Sequence, residues 1–213
     1  MAMSFTNISG TPNQYVDAVM PTGFGRFTIN FWIRPTGIPG FASAVTMRGG
    51  SVVNRVAVGI DGATNRVFID TASTGFSTYW ETTDILIQGS WNMVTAIVNN
   101  NVDRRIGLNS VMSFDEQEQS VMILTRILTG AYFDNNVTTP QWNGDIAELA
   151  LWSVTLTQAE INALYTGAKA NMVRPGAMRY YIPMINNFNS ERALISSTVN
   201  GTTNASTHVR RIG

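Results

Sequence analysis

The chain has 213 residues, of which 44% are hydrophobic and 13% are charged, and its formal net charge at pH 7 is zero. Nucleic acids and anionic membranes bind clustered basic surfaces, so the scattered basic residues of this chain argue against both partners. The absence of cysteine excludes a disulfide framework, a thiolate nucleophile and a zinc–cysteine site.

The N-terminal residues MAMSFTNISG contain neither a basic segment nor an apolar run, which predicts that they are not a secretory signal peptide. No apolar run approaches the roughly 20 residues that span a bilayer, so we expect no membrane anchor. We therefore expect the protein to be made and folded in a cytoplasm.

The basic residues are strongly biased, because Lys169 is the only lysine among the 14 basic residues. Protein interfaces are rich in arginine and poor in lysine, and a low charged fraction favours burial in an assembly. Genome composition would produce the same bias, so both explanations stay open.

Short runs of β-branched and aromatic residues alternate with Gly, Asn, Asp and Pro, a spacing typical of an all-β sandwich with about a dozen strands. Apolar residues occupy every second position of 27–33, which predicts a strand with one buried face. Asp61-Gly62 separates residues 52–60 from residues 66–70 and predicts a hairpin. Residues 93–98 are nearly all apolar, as in a central strand covered on both faces.

The sharpest change of period lies between residues 141 and 167. Asn143-Gly144 favours a tight turn, and the strand-like residues 146–152 follow it. Thr157 and Glu160 then match a capping box, and the apolar stripe that follows ends at Gly167. The pattern predicts one short helix near residues 157–166.

Beyond residue 184 the chain becomes rich in Asn, Ser and Thr, with few large apolar residues. We therefore expect one sandwich domain over residues 1–195, followed by an extended C-terminal tail over residues 196–213.

Four segments, in the expected order, resemble laminin-G-like, concanavalin A-like domains. They are MSFTNISGTPNQYVDAV at 3–19, FTINFWIRP at 27–35, SWNMVTAIV at 90–98 and WNGDIAELALWSVTLTQAEINALYTG at 142–167. The resemblance covers roughly residues 3–184 and implies a two-sheet antiparallel jelly-roll sandwich. Proteins of this fold include lectins, hydrolases, adhesins and structural modules, so the fold alone does not determine the function.

The last residues, 198–213, resemble the C-termini of laminin-G-like proteins encoded by tailed bacteriophages, although Val209 stands where proline is usual. The likeness implies a virion protein that decorates a capsid or forms part of a tail, and that is a possible homo-oligomer. Its partners would be other virion proteins, which the tail would contact through Val209, Arg210, Arg211 and Ile212. The alternative is a carbohydrate-binding adhesin that recognises a host-surface glycan.

The catalytic inventory is small, because His208 is the only histidine and lies in the polar tail. A Ser-His-Asp arrangement or a histidine metal site needs a rigidly held partner, so neither is expected. Glycosidases of this sandwich class use two acids on one face of a strand. Asp145 and Glu148 are three positions apart, which predicts opposite faces on a regular strand. We therefore predict that the protein is not an enzyme.

Exposed aromatic side chains can stack on sugar rings, and the candidates here are Phe76, Trp80 and Tyr132. Phe76 and Trp80 share a face on a strand, and core packing is the alternative explanation for all three. The remaining strand tryptophans, Trp32, Trp91 and Trp152, are expected in the core.

No cofactor is expected from the residues themselves. Domains that this chain resembles hold Ca²⁺ at the rim of the sandwich, which makes Asp70, Asp134 and Asn135 candidate ligands. Ordinary turns explain the same residues, because no calcium-loop spacing is present.

Overall fold

Two antiparallel sheets form the framework of the computed structural model. The structure describes residues 2–5, 14–20, 25–37, 40–49, 54–73, 76–115, 123–134, 137–140, 142–183, 197–200 and 204–206. The strands within these ranges are β1 Ala2–Phe5, β2 Tyr15–Val19, β3 Phe27–Pro35, β4 Phe41–Arg48, β5 Arg55–Asp61, β6 Arg66–Ser73, β7 Phe76–Ile85, β8 Asn92–Val98, β9 Arg104–Leu108, β10 Val111–Asp115, β11 Arg126–Thr129, β12 Ala131–Asp134, β13 Val137–Pro140, β14 Gly144–Trp152, β15 Met178–Ile182, β16 Ser197–Asn200 and β17 Asn204–Ser206. The helix α1 is Gln158–Tyr165, and a 3₁₀ turn follows at Ala170–Met172.

One sheet has eight strands, in the order β10-β9-β8-β3-β14-β1-β17, with β15 also paired to β14. The other has seven, in the order β16-β2-β11-β4-β5-β6-β7, and β12 and β13 form a separate hairpin. The predicted fold class is confirmed, since the chain is an all-β, two-sheet antiparallel sandwich of the concanavalin A-like jelly-roll type with one short helix.

The main core lies between the two sheets, and strand alternation determines which side chains enter it. Phe27, Ile29, Phe31 and Ile33 of β3 all lie in this core, as the period of two predicted. The central strand β8 is buried along its whole length. Its two faces serve different cores, because Val94 packs between the sheets whereas Met93 packs under the helix.

A second core fills the space between the outer face of the eight-stranded sheet and α1. Ile161 and Leu164 of the helix pack there against Trp152, which is fully buried. The predicted capping box is present, because the Glu160 carboxylate accepts from the Thr157 backbone N–H at 2.7 Å and the Thr157 side chain accepts from the Glu160 N–H. The molecule is therefore layered as sheet, sheet and helix.

The C-terminal segment differs from the expected extended tail. Ser197–Asn200 pairs with β2 at the edge of the seven-stranded sheet, and Asn204–Ser206 pairs with β1 in the other sheet. Strand pairing uses backbone groups, so polar side chains do not prevent it, and the edges of β1 and β2 offer unpaired backbone groups. The sandwich therefore continues past residue 195, and residues 207–213, with the proposed assembly residues, lie outside the described ranges.

Candidate functional site

Four aromatic rings meet on the outer face of the seven-stranded sheet, and we call Phe41, Phe68, Tyr79 and Tyr132 the aromatic platform. The Phe68 ring centroid lies 4.1 Å from that of Phe41 and 5.4 Å from that of Tyr79, with both pairs stacked. Tyr132 meets Phe41 edge to face at 5.4 Å. Phe68 is buried, but Phe41 and Tyr79 are 38% and 41% exposed, so two rings present open surface.

Carboxylates border the Tyr79 edge of the platform. The Tyr79 hydroxyl donates to Glu81 Oε1 at 2.6 Å and lies 3.3 Å from Asp61 Oδ2. Partial burial, followed by the hydrogen bond to Glu81, raises the pKa of Tyr79 above its ordinary value. The phenol therefore stays protonated, and the two carboxylates supply hydrogen-bond acceptors beside an open ring.

A buried ion pair holds Tyr132 in place at the opposite edge. The Asp70 carboxylate accepts from Arg55 Nε at 3.1 Å and from the Tyr132 hydroxyl at 3.0 Å. The Arg55 guanidinium carbon lies 5.0 Å from the centre of the Tyr132 ring. Since Arg55 and Asp70 are both buried, removing either would break a buried ion pair, which is strongly destabilising. Asp70 thus fixes the position of a platform ring.

The candidate calcium ligands are not brought together among the residues that the structure describes. Asp70 is matched by Arg55 and Tyr132, Asp134 is the last residue of β12 with its side chain outside the description, and Asn135 lies in a gap. Within the described residues, no group of three or more His, Cys, Asp or Glu side chains is placed to hold a metal. The calcium site stays a prediction.

Strand register separates the predicted sugar-binding residues. Tyr132 lies in the platform, whereas Trp80 pairs with the core residue Ile69 and so lies on the opposite face of β7. Trp80 is nevertheless 39% exposed, because β7 is the last strand of its sheet. Phe76 pairs with Ser73 at the start of β7, and its side chain is outside the described part.

Sequence reasoning missed Phe41, Phe68 and Tyr79. Tyr79 and Glu81 are paired with Asp70 and Phe68 across β6, so alternation carries them to the outer face together. No local pattern identifies this cluster, because its members come from four strands. The only signal available was local: Ser77 and Glu81, two positions before and after Tyr79, are polar, which is typical of the solvent-facing side of a strand.

The expectation that Trp32 and Trp91 lie in the core was wrong. Both are half-buried on the outer face of the eight-stranded sheet, whereas Trp152 is fully buried as expected. Alternation in β3 sends Trp32 away from Ile33, and Trp91 comes directly before β8, after the exposed residues 87–90.

The expectation that Asp145 and Glu148 lie on opposite faces was also wrong. A bulge in β14 shifts the register between Ala147 and Ala150, and Glu148 adopts a left-handed φ of 54°. Both carboxylates therefore reach the outer face, as bulges re-aim the side chains of a strand. Each is bound by a neighbour, since Arg34 Nε donates to Asp145 at 2.6 Å and the Tyr181 hydroxyl donates to Glu148 at 2.7 Å.

The two sheets, the helix that closes one face and the aromatic platform on the other define a lectin-like sandwich domain. The sequence profile described as the concanavalin A-like lectin/glucanases superfamily matches residues 9–162, and the chain belongs to this family. No curated protein sequence matches the chain.

Solved structures share this fold at low sequence identity. A heptameric SAP-like pentraxin from Limulus polyphemus matches with a TM-score of 0.65 and 12% identity, over 93% of this chain and 94% of that chain. The sialidase module CBM40 of Ruminococcus gnavus, bound to α2,3-sialyllactose, matches with a TM-score of 0.57 and 13% identity, over 67% and 84%. Domain 4 of the arabinanase AbnA from Geobacillus stearothermophilus, in complex with arabinotriose, matches with a TM-score of 0.52 and 16% identity, over 77% and 72%.

No helix in the described part of the chain is long and apolar enough to cross a membrane.

Proposed function

We propose that this protein is a non-enzymatic carbohydrate-binding domain whose ligand binds on the aromatic platform. The observation that carries the proposal is the pair of open rings, Phe41 and Tyr79, beside the carboxylates of Asp61 and Glu81. The C–H face of a sugar stacks on an aromatic ring, and its hydroxyl groups donate to nearby carboxylates. The fold supports this reading, because two of the similar structures are complexes with oligosaccharides.

The absence of catalysis is supported by how the two acids of β14 are held. Asp145 is bound to Arg34, and Glu148 accepts from Tyr181 beside a cavity of about 10 Å³. Such a cavity has room for about one water molecule. Glycoside hydrolysis requires two carboxyl groups that flank the scissile bond, and a sugar does not fit beside Glu148.

The binding proposal is tested by comparing two neighbouring residues of β7. Tyr79→Ala removes an open platform ring, whereas Trp80→Ala removes a ring of similar exposure on the opposite face. We expect Tyr79→Ala to weaken binding in a glycan array and in titration calorimetry by about tenfold or more, and Trp80→Ala to leave it nearly unchanged. The melting temperature of each variant shows that its fold is retained.

The reverse pattern would contradict the platform and place the ligand at Trp80, as the sequence prediction had it. A reducing-sugar assay tests the absence of catalysis separately. Release of sugar that disappears in the Asp145→Asn or Glu148→Gln variant would show that the domain is an enzyme.

A virion structural role is the second candidate, for capsid decoration or a tail-associated module. It is favoured by the preference for arginine over lysine and by the phage-like residues at 198–213. Glycan binding and attachment to a particle are compatible, since an attached domain can recognise a host-surface glycan.

The attachment test is a chain ending at residue 208, which keeps β16 and β17 but lacks Val209, Arg210, Arg211 and Ile212. This chain should fold normally, and it should no longer be retained on purified virions. Full retention would contradict the docking role of these four residues.

A further inference from the structure

A concave surface lies on the other side of the molecule from the aromatic platform, where α1 meets the outer face of the eight-stranded sheet. Its volume is about 550 Å³, within the range of roughly 300–1,000 Å³ that is usual for small-molecule sites. We call it the helix-side cleft, and the residues that matter here are Trp32, Arg34, Trp91, Asn92, Asn109 and Tyr165.

The aromatic walls of the cleft come from separate elements. Trp32 lies on β3, Trp91 comes directly before β8, and Tyr165 is the last residue of α1. The rings of Trp32 and Tyr165 are nearly parallel, with an interplanar angle of 11° and 6.2 Å between their centroids. All three are half-buried, so part of each side chain is open to the solvent while the protein holds its position.

The polar floor is held in place by its own hydrogen bonds. The Asn92 amide nitrogen donates to the Ser90 carbonyl at 2.8 Å and to the Ile87 carbonyl at 3.2 Å, and the Asn109 amide nitrogen donates to the Asn92 side-chain oxygen at 3.2 Å. The Met93 backbone N–H donates to the Asn109 side-chain oxygen at 3.0 Å. Fixed amides lose little entropy when a ligand binds, which favours affinity.

The charge of the cleft is balanced. Among the described residues, Arg34 is the only charged one that lines it, and its guanidinium is bound by the buried Asp145 and lies 5.4 Å from the Trp91 ring centre. An acidic ligand would have to compete with Asp145 for this cation. A neutral ligand would leave the ion pair intact and still receive N–H donors from Arg34.

We infer that the helix-side cleft is a second saccharide-binding site, selective for neutral sugars. Ring faces next to fixed amides and a guanidinium suit a molecule that has both apolar C–H faces and many hydroxyl groups. Grooves lined by aromatic rings also bind proline-rich peptides, and such a peptide is the alternative ligand that the test distinguishes. The inference does not rest on the proposed function, because it uses other residues on the opposite sheet.

The test uses the full chain and a panel of neutral arabino-, xylo- and galacto-oligosaccharides, with sialyllactose as the charged comparison. NMR signals of the indole N–H groups report on the five tryptophans separately. A neutral oligosaccharide should shift the Trp91 and Trp32 signals and leave that of the buried Trp152 unchanged. The same shifts should persist in the Tyr79→Ala variant, which separates this site from the aromatic platform.

Two variants of the cleft and one matched control complete the design. Trp91→Ala removes a wall, and Ser90→Phe fills the opening without removing a contact of the aromatic rings; each should weaken binding about tenfold or more. Phe114→Ala is the control, because Phe114 is 56% exposed in the same sheet and lies under an arginine, Arg105, but is not in the cleft.

Unchanged Trp91 and Trp32 signals with every neutral oligosaccharide would overturn the inference, as would equal binding by the Ser90→Phe variant. Tighter binding of sialyllactose at this cleft would contradict its selectivity for neutral sugars. Shifts caused by a proline-rich peptide but by no saccharide would assign the cleft to a protein partner instead.

Discussion

Trp152 connects the eight-stranded sheet to the helix layer, and its replacement by alanine should be the most damaging change in this layer. The side chain is fully buried, and its indole N–H donates to the Val173 carbonyl at 2.7 Å. Deleting a buried Trp side chain costs about 3–5 kcal/mol. The buried carbonyl then loses its donor, which costs about 1 kcal/mol or more. We therefore expect Trp152→Ala to lower the free energy of unfolding by about 4–6 kcal/mol.

The assay is urea unfolding followed by far-UV circular dichroism, with the midpoint and the slope fitted for each variant. Trp152→Phe retains most of the ring and loses only the N–H donor, so it should cost about 1–2 kcal/mol. Trp91→Ala is the matched control, because a half-buried Trp should cost only about 1 kcal/mol. If Trp152→Ala and Trp91→Ala destabilise the protein equally, the assignment of Trp152 to the core and of Trp91 to the cleft is wrong.

Three further predictions concern backbone packing, helix capping and acid stability. Gly59→Ala should destabilise the protein by about 3 kcal/mol in the same assay, because its Cβ would clash with the Ala42 carbonyl oxygen of the neighbouring strand. Thr157→Ala should cost about 1 kcal/mol by removing the cap of α1, whereas Thr157→Ser keeps the oxygen and should cost much less. Burial would raise the pKa of Glu160, but hydrogen bonds from Thr157 and the ion pair with Arg174 outweigh it and lower this pKa. The stabilisation from Glu160 is therefore complete above its ordinary pKa of about 4.3 and is lost as the pH falls through the lower folded value. Unfolding at pH 7 and pH 3 should show a smaller pH dependence for Glu160→Gln than for the unmodified protein, and an equal dependence would contradict this role.

The features that could be predicted from the sequence are those specified by neighbouring residues. The capping box of Thr157 and Glu160 is a contact across three positions, and the structure contains it. The burial of β3 and β8 follows from alternation and from a continuous apolar run, both of which are local. Local signals therefore gave the element types and the all-β class, and the resemblance of four segments to laminin-G-like domains gave the jelly-roll sandwich.

The errors arose where the backbone departs from regular alternation. The period of two assigns Asp145 and Glu148 to opposite faces of β14. One left-handed residue, Glu148 itself, in the bulge of this strand is enough to bring both carboxylates to the same face. No residue type announces the bulge, because glutamate rarely adopts a positive φ. Similarly, Phe41 and Tyr79 become neighbours only through the order of β4 to β7, which no single segment specifies.

The two C-terminal strands change how experiments on the end of the chain must be interpreted. β16 forms an edge of the seven-stranded sheet beside β2, and β17 forms an edge of the eight-stranded sheet beside β1. The N-terminal and C-terminal segments are thus paired in both sheets, and removing residues after 195 would expose the backbone of β1 and β2 together. Exposed strand edges pair with other chains, so such a truncation would produce misfolding or aggregation for reasons unrelated to docking. Loss of particle attachment after that truncation would therefore carry no information about residues 209–212. Only a chain that retains Asn204–Ser206 separates the stability of the sandwich from the function of its last residues.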